Sequence, residues 1–377
     1  MPVDTVQISK DMTERRRGPI IELLKSLKRI IRRGIGMVKR IILAGLDGTR
    51  IVYGSIAYNR TGETPSYAYQ SMIRLFCLTG GRSNDFLSRC LRLVRPPYSI
   101  DTPTGVLTAH GQDEYSTGLE RLRQKGYYVF PFTLADETCD ELMRIGLTEK
   151  CTIAGREGEQ IFDRNSPCAV KYTISSTTLI NNPTVQKLIS DASIMAFAQA
   201  YLGSQPVLDY VNMWWITNIN KTPDSNAAQL YHFDMDKIKW LKFFFYITDV
   251  APENGPHCFV QRSHRTGMIP AALLKRGYTR IADEDARKHF SDDDFIEITG
   301  RRGTILAEDT RGLHKGLLLE RGDRLMFELE FSNSLFGSIQ SRPVLLKSHV
   351  PALDQMLSRY PRLYSHFDNR IGSVGRA

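Results

Sequence analysis

A chain of 377 residues with 42% hydrophobic and 24% charged residues has a globular composition, which excludes a disordered protein. Its length suits one large catalytic core with added segments, or two domains. The net charge of +9 is uneven: residues 1–50 hold twelve Lys/Arg against five Asp/Glu, or +7, which leaves +2 for everything after them.

That near-neutral body excludes an extended nucleic-acid surface, whereas the basic start favours an anionic partner. No run of about 18 apolar residues is present to cross a membrane. The polar, charged opening (MPVDTVQISKDMTERRR) does not have the pattern of a secretory signal. Six irregularly spaced cysteines without a C-x-x-C pair read as reduced thiols. Together these give the expectation of a cytoplasmic protein.

In chain order, 18–46 reads as a helix. Ile20, Leu23, Leu24, Leu27, Ile30 and Ile31 recur at helical spacing, and Lys25, Lys28, Arg29, Arg32 and Arg33 fill the other face. Gly34 and Gly36 interrupt it, and Val38, Ile41 and Ile42 continue the stripe. Two roles fit: packing on the core with the basic face in solvent, or lying peripherally on an anionic membrane.

Short helices are expected over 66–78 and 85–94, then irregular chain around Pro96, Pro97 and Pro103. A new unit begins near 115, with a helix over 118–124, a strand over 126–132 and a helix over 134–145 capped by Thr133 or Asp136. One or two helices over 182–202 end at Gly203. From there the period changes. Short apolar or alternating runs at 207–217, 239–248, 258–261, 303–307 and 324–331, separated by turn residues, predict a β-sandwich or barrel. A charged, partly helical insertion occupies 269–295. The division expected is a basic N-terminal helical extension (1–114), a β core (115–340) and a C-terminal tail packed on it (341–377).

The chemistry lies in Tyr231-His232-Phe233-Asp234. On a strand, residues i and i+2 share a face, so His232 and Asp234 can converge on one ion. His314, 80 residues after Asp234, completes a two-His-one-carboxylate set that leaves three octahedral positions open, as iron(II) needs for a bidentate 2-oxo acid and dioxygen. Arg324, ten residues further on, is a guanidinium suited to the distal carboxylate of 2-oxoglutarate. Arg321, on a turn, is the second choice for that anchor.

The stretch 115–340 resembles the phytanoyl-CoA dioxygenase family of iron(II)/2-oxoglutarate-dependent oxygenases. The resemblance rests on LERLRQKGYYVFPFT at 119–133, AAQLYHFDMD at 227–236, FFFYITDVAPENGPHCFVQRSHR at 243–265, the distal histidine segment 303–316 and the arginine strand 322–331. It implies an α+β fold: a mostly β, double-stranded β-helix (jelly-roll, cupin-like) core with flanking helices. It implies iron(II) on His232, Asp234 and His314, and 2-oxoglutarate on Arg324. Phe244 stands where the family can place an aromatic residue beside the co-substrate, and Asn212 and Gln229 are further candidates for co-substrate or substrate contacts. Some members contact the co-substrate through a serine two residues after the distal histidine; here that residue is Gly316. Related halogenases replace the carboxylate ligand with a small residue, so Asp234 favours hydroxylation.

The expected activity is hydroxylation of a C–H bond in a small-molecule, lipid or glycan-linked substrate. Desaturation, cyclisation or epimerisation by the same oxidant, a non-catalytic β-barrel binding protein, and a cupin-like isomerase are the alternatives. His257 and His264 read as structural, Asp309 and Arg311 as pocket mouth or surface ion pair, Asp236 as a neighbour of the ligands or a substrate contact, and Trp214, Trp215 and Trp240 as core or pocket wall.

Overall fold

The computed structural model describes residues 41–372 apart from 101, 225 and 226, together with isolated positions before 41. Most of the expected helix over 18–46 therefore lies outside the described residues. Residues 41–61 are helical (α1). Helices Ser66–Thr79 (α2) and Arg82–Val94 (α3) follow where the apolar spacing placed them, and the proline-marked chain after them is irregular.

Gln112–Lys125 (α4) starts a turn and a half earlier than its apolar residues suggested, because Asp113 and Glu114 favour a helix N-terminus. It ends at Gly126, whose φ of 94° is a left-handed cap that leads straight into strand Tyr127–Thr133 (β1). Asp136–Thr148 (α5) corrects the expected cap: Ala135 stands there with no side-chain hydrogen bond, and Asp136 lies inside the first turn.

Strands Lys150–Thr152 (β2), Glu159–Ile161 (β3) and Lys171–Ile174 (β4) had no strong sequence signal, being three or four residues long and partly exposed. Ser176–Ile180 (α6), Pro183–Ile189 (α7) and Ala192–Leu202 (α8) come next. The side chains of Asn182 and Asp191 cap the last two, so the 182–202 run is two helices.

The remaining strands are Val207–Thr217 (β5), Trp240–Tyr246 (β6), His257–Val260 (β7), Phe295–Ile298 (β8), Thr304–Glu308 (β9), His314–Gly316 (β10) and Asp323–Ser332 (β11). One sheet runs β1-β9-β6-β11-β5-β4-β2-β3, and a smaller one runs β10-β7-β8. A backbone bridge from His232 to His314 adds a fourth member beside β10. From β6 on the chain crosses from one sheet to the other at each step except between β7 and β8, which are consecutive in the small sheet, and neighbouring strands pair antiparallel. This is the jelly-roll arrangement, an α+β fold with helices on the outside.

Alternation in the large sheet separates two environments. Leu325, Phe327, Leu329 and Phe331 of β11, with Leu241, Phe243 and Phe245 of β6, join the helices in the main core. The other face of the same strands looks at the small sheet and carries Arg324, Met326, Glu328 and Glu330 of β11, and Lys242, Phe244 and Tyr246 of β6. A second apolar cluster joins Ile51 of α1 and Met72 and Phe76 of α2 to Tyr231, Phe233, Met235 and Trp240, so these helices cover the end of the jelly roll that holds His232. Among the described residues no helix is long and apolar enough to cross a membrane.

Candidate metal centre

Residues 231–234 are not a regular strand, as their spacing had suggested; they form single bridges, Tyr231 to Ile281 and His232 to His314. The convergence holds nonetheless. His232 N–H donates to the His314 carbonyl at 3.0 Å, His314 N–H donates back at 2.8 Å, and Asp234 N–H donates to Thr310 at 2.8 Å. The two imidazole centroids lie 4.2 Å apart. One ligating atom from each of His232, Asp234 and His314 falls within 4.8 Å of the others, and all three residues are buried.

Backbone carbonyls select the ring tautomers. Nδ1 of His232 lies 2.9 Å from the Leu230 carbonyl, and Nδ1 of His314 lies 3.0 Å from that of Gly312. A carbonyl only accepts, so both Nδ1 atoms carry the proton and both Nε2 lone pairs are free. Those Nε2 atoms each stand 3.6 Å from the Asp234 carboxylate. Two neutral imidazoles and a carboxylate, held by second contacts, are a donor set for a divalent transition metal.

Lys242 was missed in the sequence. Its Nζ lies 2.9 Å from Asp234 Oδ2, 3.1 Å from Glu330, 3.3 Å from Glu328 and 3.7 Å from Asp236. Burial alone raises the Asp234 carboxyl, but Lys242 and the two histidines outweigh it and hold Asp234 well below the usual carboxylate range. The signal was there: Arg324, Glu328 and Glu330 stand at even spacing in the otherwise apolar DRLMFELE, and Lys242 interrupts the apolar WLKFFF, which marks an inward polar face.

Arg324 is buried on that face. Its Nε and Nη1 have no hydrogen-bond partner. Among the described residues no carboxylate pairs with it, which leaves an uncompensated guanidinium inside the jelly roll. Arg321 is exposed and paired with Glu253 at 2.8 Å, which removes it as the alternative. Gly316, two residues after His314, faces Arg324, and His257 stands beside His314 with Phe244 next to it. The His257 ring is 5.6 Å from that of His314 and 5.0 Å from that of Phe244. A Cβ on Gly316 would stand 3.3 Å from Arg324 Nη2, so the glycine keeps the space in front of the guanidinium clear.

Asn212 sits across from Glu328, 3.4 Å from its carboxylate, with Oδ1 unpartnered. Gln229 accepts from Asp224 N–H through Oε1, and its buried Nε2 has no partner. The preceding Ala228 takes φ 58° and accepts from Gly316 N–H at 3.0 Å, which holds this loop against β10. Asp309 and Arg311 are corrected: they are buried, paired at 2.8 Å, and joined by the Tyr201 hydroxyl, so they brace the distal histidine loop from behind. His264 braces the same region through Arg123. His257 is 2.9 Å from Glu308. Asp236 faces Lys242, Trp214 lies against Phe244, and Trp215 and Trp240 are core.

No family model matches the sequence, and no curated protein sequence matches it. Solved structures do show a likeness. HygX from Streptomyces hygroscopicus with nickel and 2-oxoglutarate bound has a TM-score of 0.42 at 16% identity, over 63% of this chain and 92% of that one. The epimerase SnoN in complex with Fe3+, alpha ketoglutarate and nogalamycin RO has a TM-score of 0.41 at 19% identity, over 59% and 84%. EctD from S. alaskensis has a TM-score of 0.41 at 16% identity, over 63% and 80%.

Two measurements check this geometry. Burial, helped by Arg324, holds His257 near about 3; burial and His257 take His314 to about 4; burial and Arg311 take His264 to about 4. An unfolded histidine, near about 6.5, takes protons in the window below that value which these three refuse. Glu308 and Glu330 shift upward through burial and oppose this in net stability, so the direct readout is the rings themselves. Long-range 1H–15N spectra of metal-free protein are expected to show all three neutral at pH 5.5. Lys242→Met strands the surrounding carboxylates and is expected to cost about 3–5 kcal/mol in urea unfolding, part of it regained by adding Glu330→Gln. An unchanged midpoint would show that the lysine does not hold the charged interior together.

Proposed function

We propose that this protein is an iron(II)- and 2-oxoglutarate-dependent oxygenase that acts on a small-molecule substrate. The observation that carries the reading is a pair: a His-Asp-His set with free Nε2 lone pairs, and an unpaired buried guanidinium on the adjoining strand face. His232, Asp234 and His314 would hold the metal. Arg324 would take the distal carboxylate of 2-oxoglutarate, and such an anion would relieve the cost of its burial. When bound, iron and 2-oxoglutarate supply oxidation of a C–H bond by dioxygen, coupled to loss of carbon dioxide from the 2-oxo acid.

The chain's own contribution is placement. The Leu230 and Gly312 carbonyls fix the imidazoles, Lys242 keeps Asp234 ionised and turned toward the histidines, and Phe244 with His257 walls the space between metal and guanidinium. The buried ligands, under α2 and the 269–295 segment, keep bulk water away. The carboxylate of Asp234 supports hydroxylation over halogenation, and the motifs around it support the phytanoyl-CoA dioxygenase family as the finer assignment.

Calorimetric titration of 2-oxoglutarate into nickel-loaded protein tests the pair. Wild type is expected to bind; Arg324→Ala is expected to weaken binding roughly 100-fold, the loss of two charge-assisted hydrogen bonds; His232→Ala is expected to lose metal. Equal 2-oxoglutarate affinity in wild type and Arg324→Ala would sink the assignment of the anchor.

A further inference from the structure

Helix α1 has two apolar faces and only one of them is used. Asp47, Ile51 and Gly54 are buried and point into the protein. Asp47 pairs with Arg74 of α2 at 2.6 Å, Ile51 joins the second apolar cluster, and a Cβ on Gly54 would fall 2.2 Å from the Cβ of Ala68, so the Gly54 backbone packs directly on the Ala68 methyl of α2. Half a helical turn away stand Ile42, Leu46, Tyr53 and Ile56, with exposures of 57%, 51%, 64% and 45%. Their spacing of four, seven and three residues is that of a single helical stripe. A lone exposed isoleucine means nothing on a soluble surface, but a contiguous stripe of this kind marks an interaction face.

Charge decides what covers it. Arg50 and Arg60 are exposed on the same helix, Lys39 is exposed before it, and residues 1–50 carry twelve Lys/Arg against five Asp/Glu. Pairing this face with a second copy of the chain would bring two such basic segments together, an unfavourable arrangement. An anionic lipid surface reverses the sign: headgroup phosphates take the cations and the acyl boundary takes the stripe. The neighbouring α3 has the same makeup on its outer residues, with Phe86 and Leu93 exposed at 63% and 85% beside Arg82, Arg89 and Arg92. Because no described helix can cross a bilayer, contact would be in the plane of the surface.

We propose that α1 is a docking helix for an anionic lipid surface, with Ile42, Leu46, Tyr53 and Ile56 entering the headgroup boundary. The placement has a consequence. α1 rests on α2, and Tyr69 of α2 faces Tyr278 across a cleft of about 620 Å³. The Tyr278 ring lies 5.7 Å from that of Phe233, the residue between His232 and Asp234, so this cleft lies beside the segment that carries them. A docked α1 would put that approach one helix away from the lipid. The docking itself does not depend on the metal chemistry.

Co-sedimentation of the full chain with sucrose-loaded vesicles tests it, using phosphatidylcholine alone and phosphatidylcholine mixed with phosphatidylserine. The expected result is binding to the mixed vesicles, weakened by salt, and little binding to phosphatidylcholine alone. The triple variant Ile42→Asp, Tyr53→Asp, Ile56→Asp, checked for an unchanged near-ultraviolet spectrum, is expected to bind about a hundredfold more weakly or worse. Wild-type hydrogen exchange with and without vesicles needs no variant and should show protection across 41–61. Binding by the triple variant equal to wild type would overturn the proposal, as would equal binding to both vesicle types. Absence of vesicle binding together with self-association lost in the triple variant would also overturn it and assign the face to a second copy.

Discussion

The two reciprocal backbone hydrogen bonds between His232 and His314 are the constraint on which the site depends. They tie an irregular segment to a three-residue strand of the small sheet, and so bring two imidazoles to 4.2 Å without either residue belonging to a long regular element. Everything else at the centre reinforces that pairing. Asp234 is hung from Thr310, Thr310 accepts from Trp240 through its side chain, and the buried Asp309–Arg311–Tyr201 cluster stiffens the loop that delivers His314. A ligand set built this way is preorganised by the backbone, which lowers the cost of assembling it around an ion.

The second organising feature is an interior that is polar where a jelly roll is ordinarily filled with apolar side chains. Lys242 gathers four carboxylates, while Arg324, on the adjacent strand, has none. The lysine offsets negative charge around His232, Asp234 and His314, whereas the arginine shares its inward face with Phe244, Tyr246 and Met326. Two buried cations a few residues apart thus have opposite environments. One is structurally satisfied, and the other is left in want of an anion.

Much of this was legible from residue patterns. The strands at 207–217 and 324–331 declared themselves because each is long and buried on both faces, and Asn182 and Asp191 as caps explain why the 182–202 run divides in two. His232, Asp234 and His314 were readable from residue type and order, although the reason first given for their convergence, a strand, was replaced by a bridge. Short β2 and β3 escaped notice because three residues, all exposed in β3 and two of them exposed in β2, carry no periodic signal. Lys242, Glu328 and Glu330 escaped because a charge in an apolar strand is easily taken for an edge or a solvent-facing position, and only the two-sheet packing shows that the face turns inward. Arg311 was misjudged for the same reason: a charged residue beside a glycine suggests surface, yet here it is buried against Asp309.

The most direct test of the account is anaerobic and optical. Iron(II) and 2-oxoglutarate added to metal-free protein are predicted to give a visible metal-to-ligand charge-transfer band, absent in His232→Ala. A folded, iron-loaded wild type that gives no band with 2-oxoglutarate would contradict it, and would mean that the three ligands hold a metal for some other chemistry.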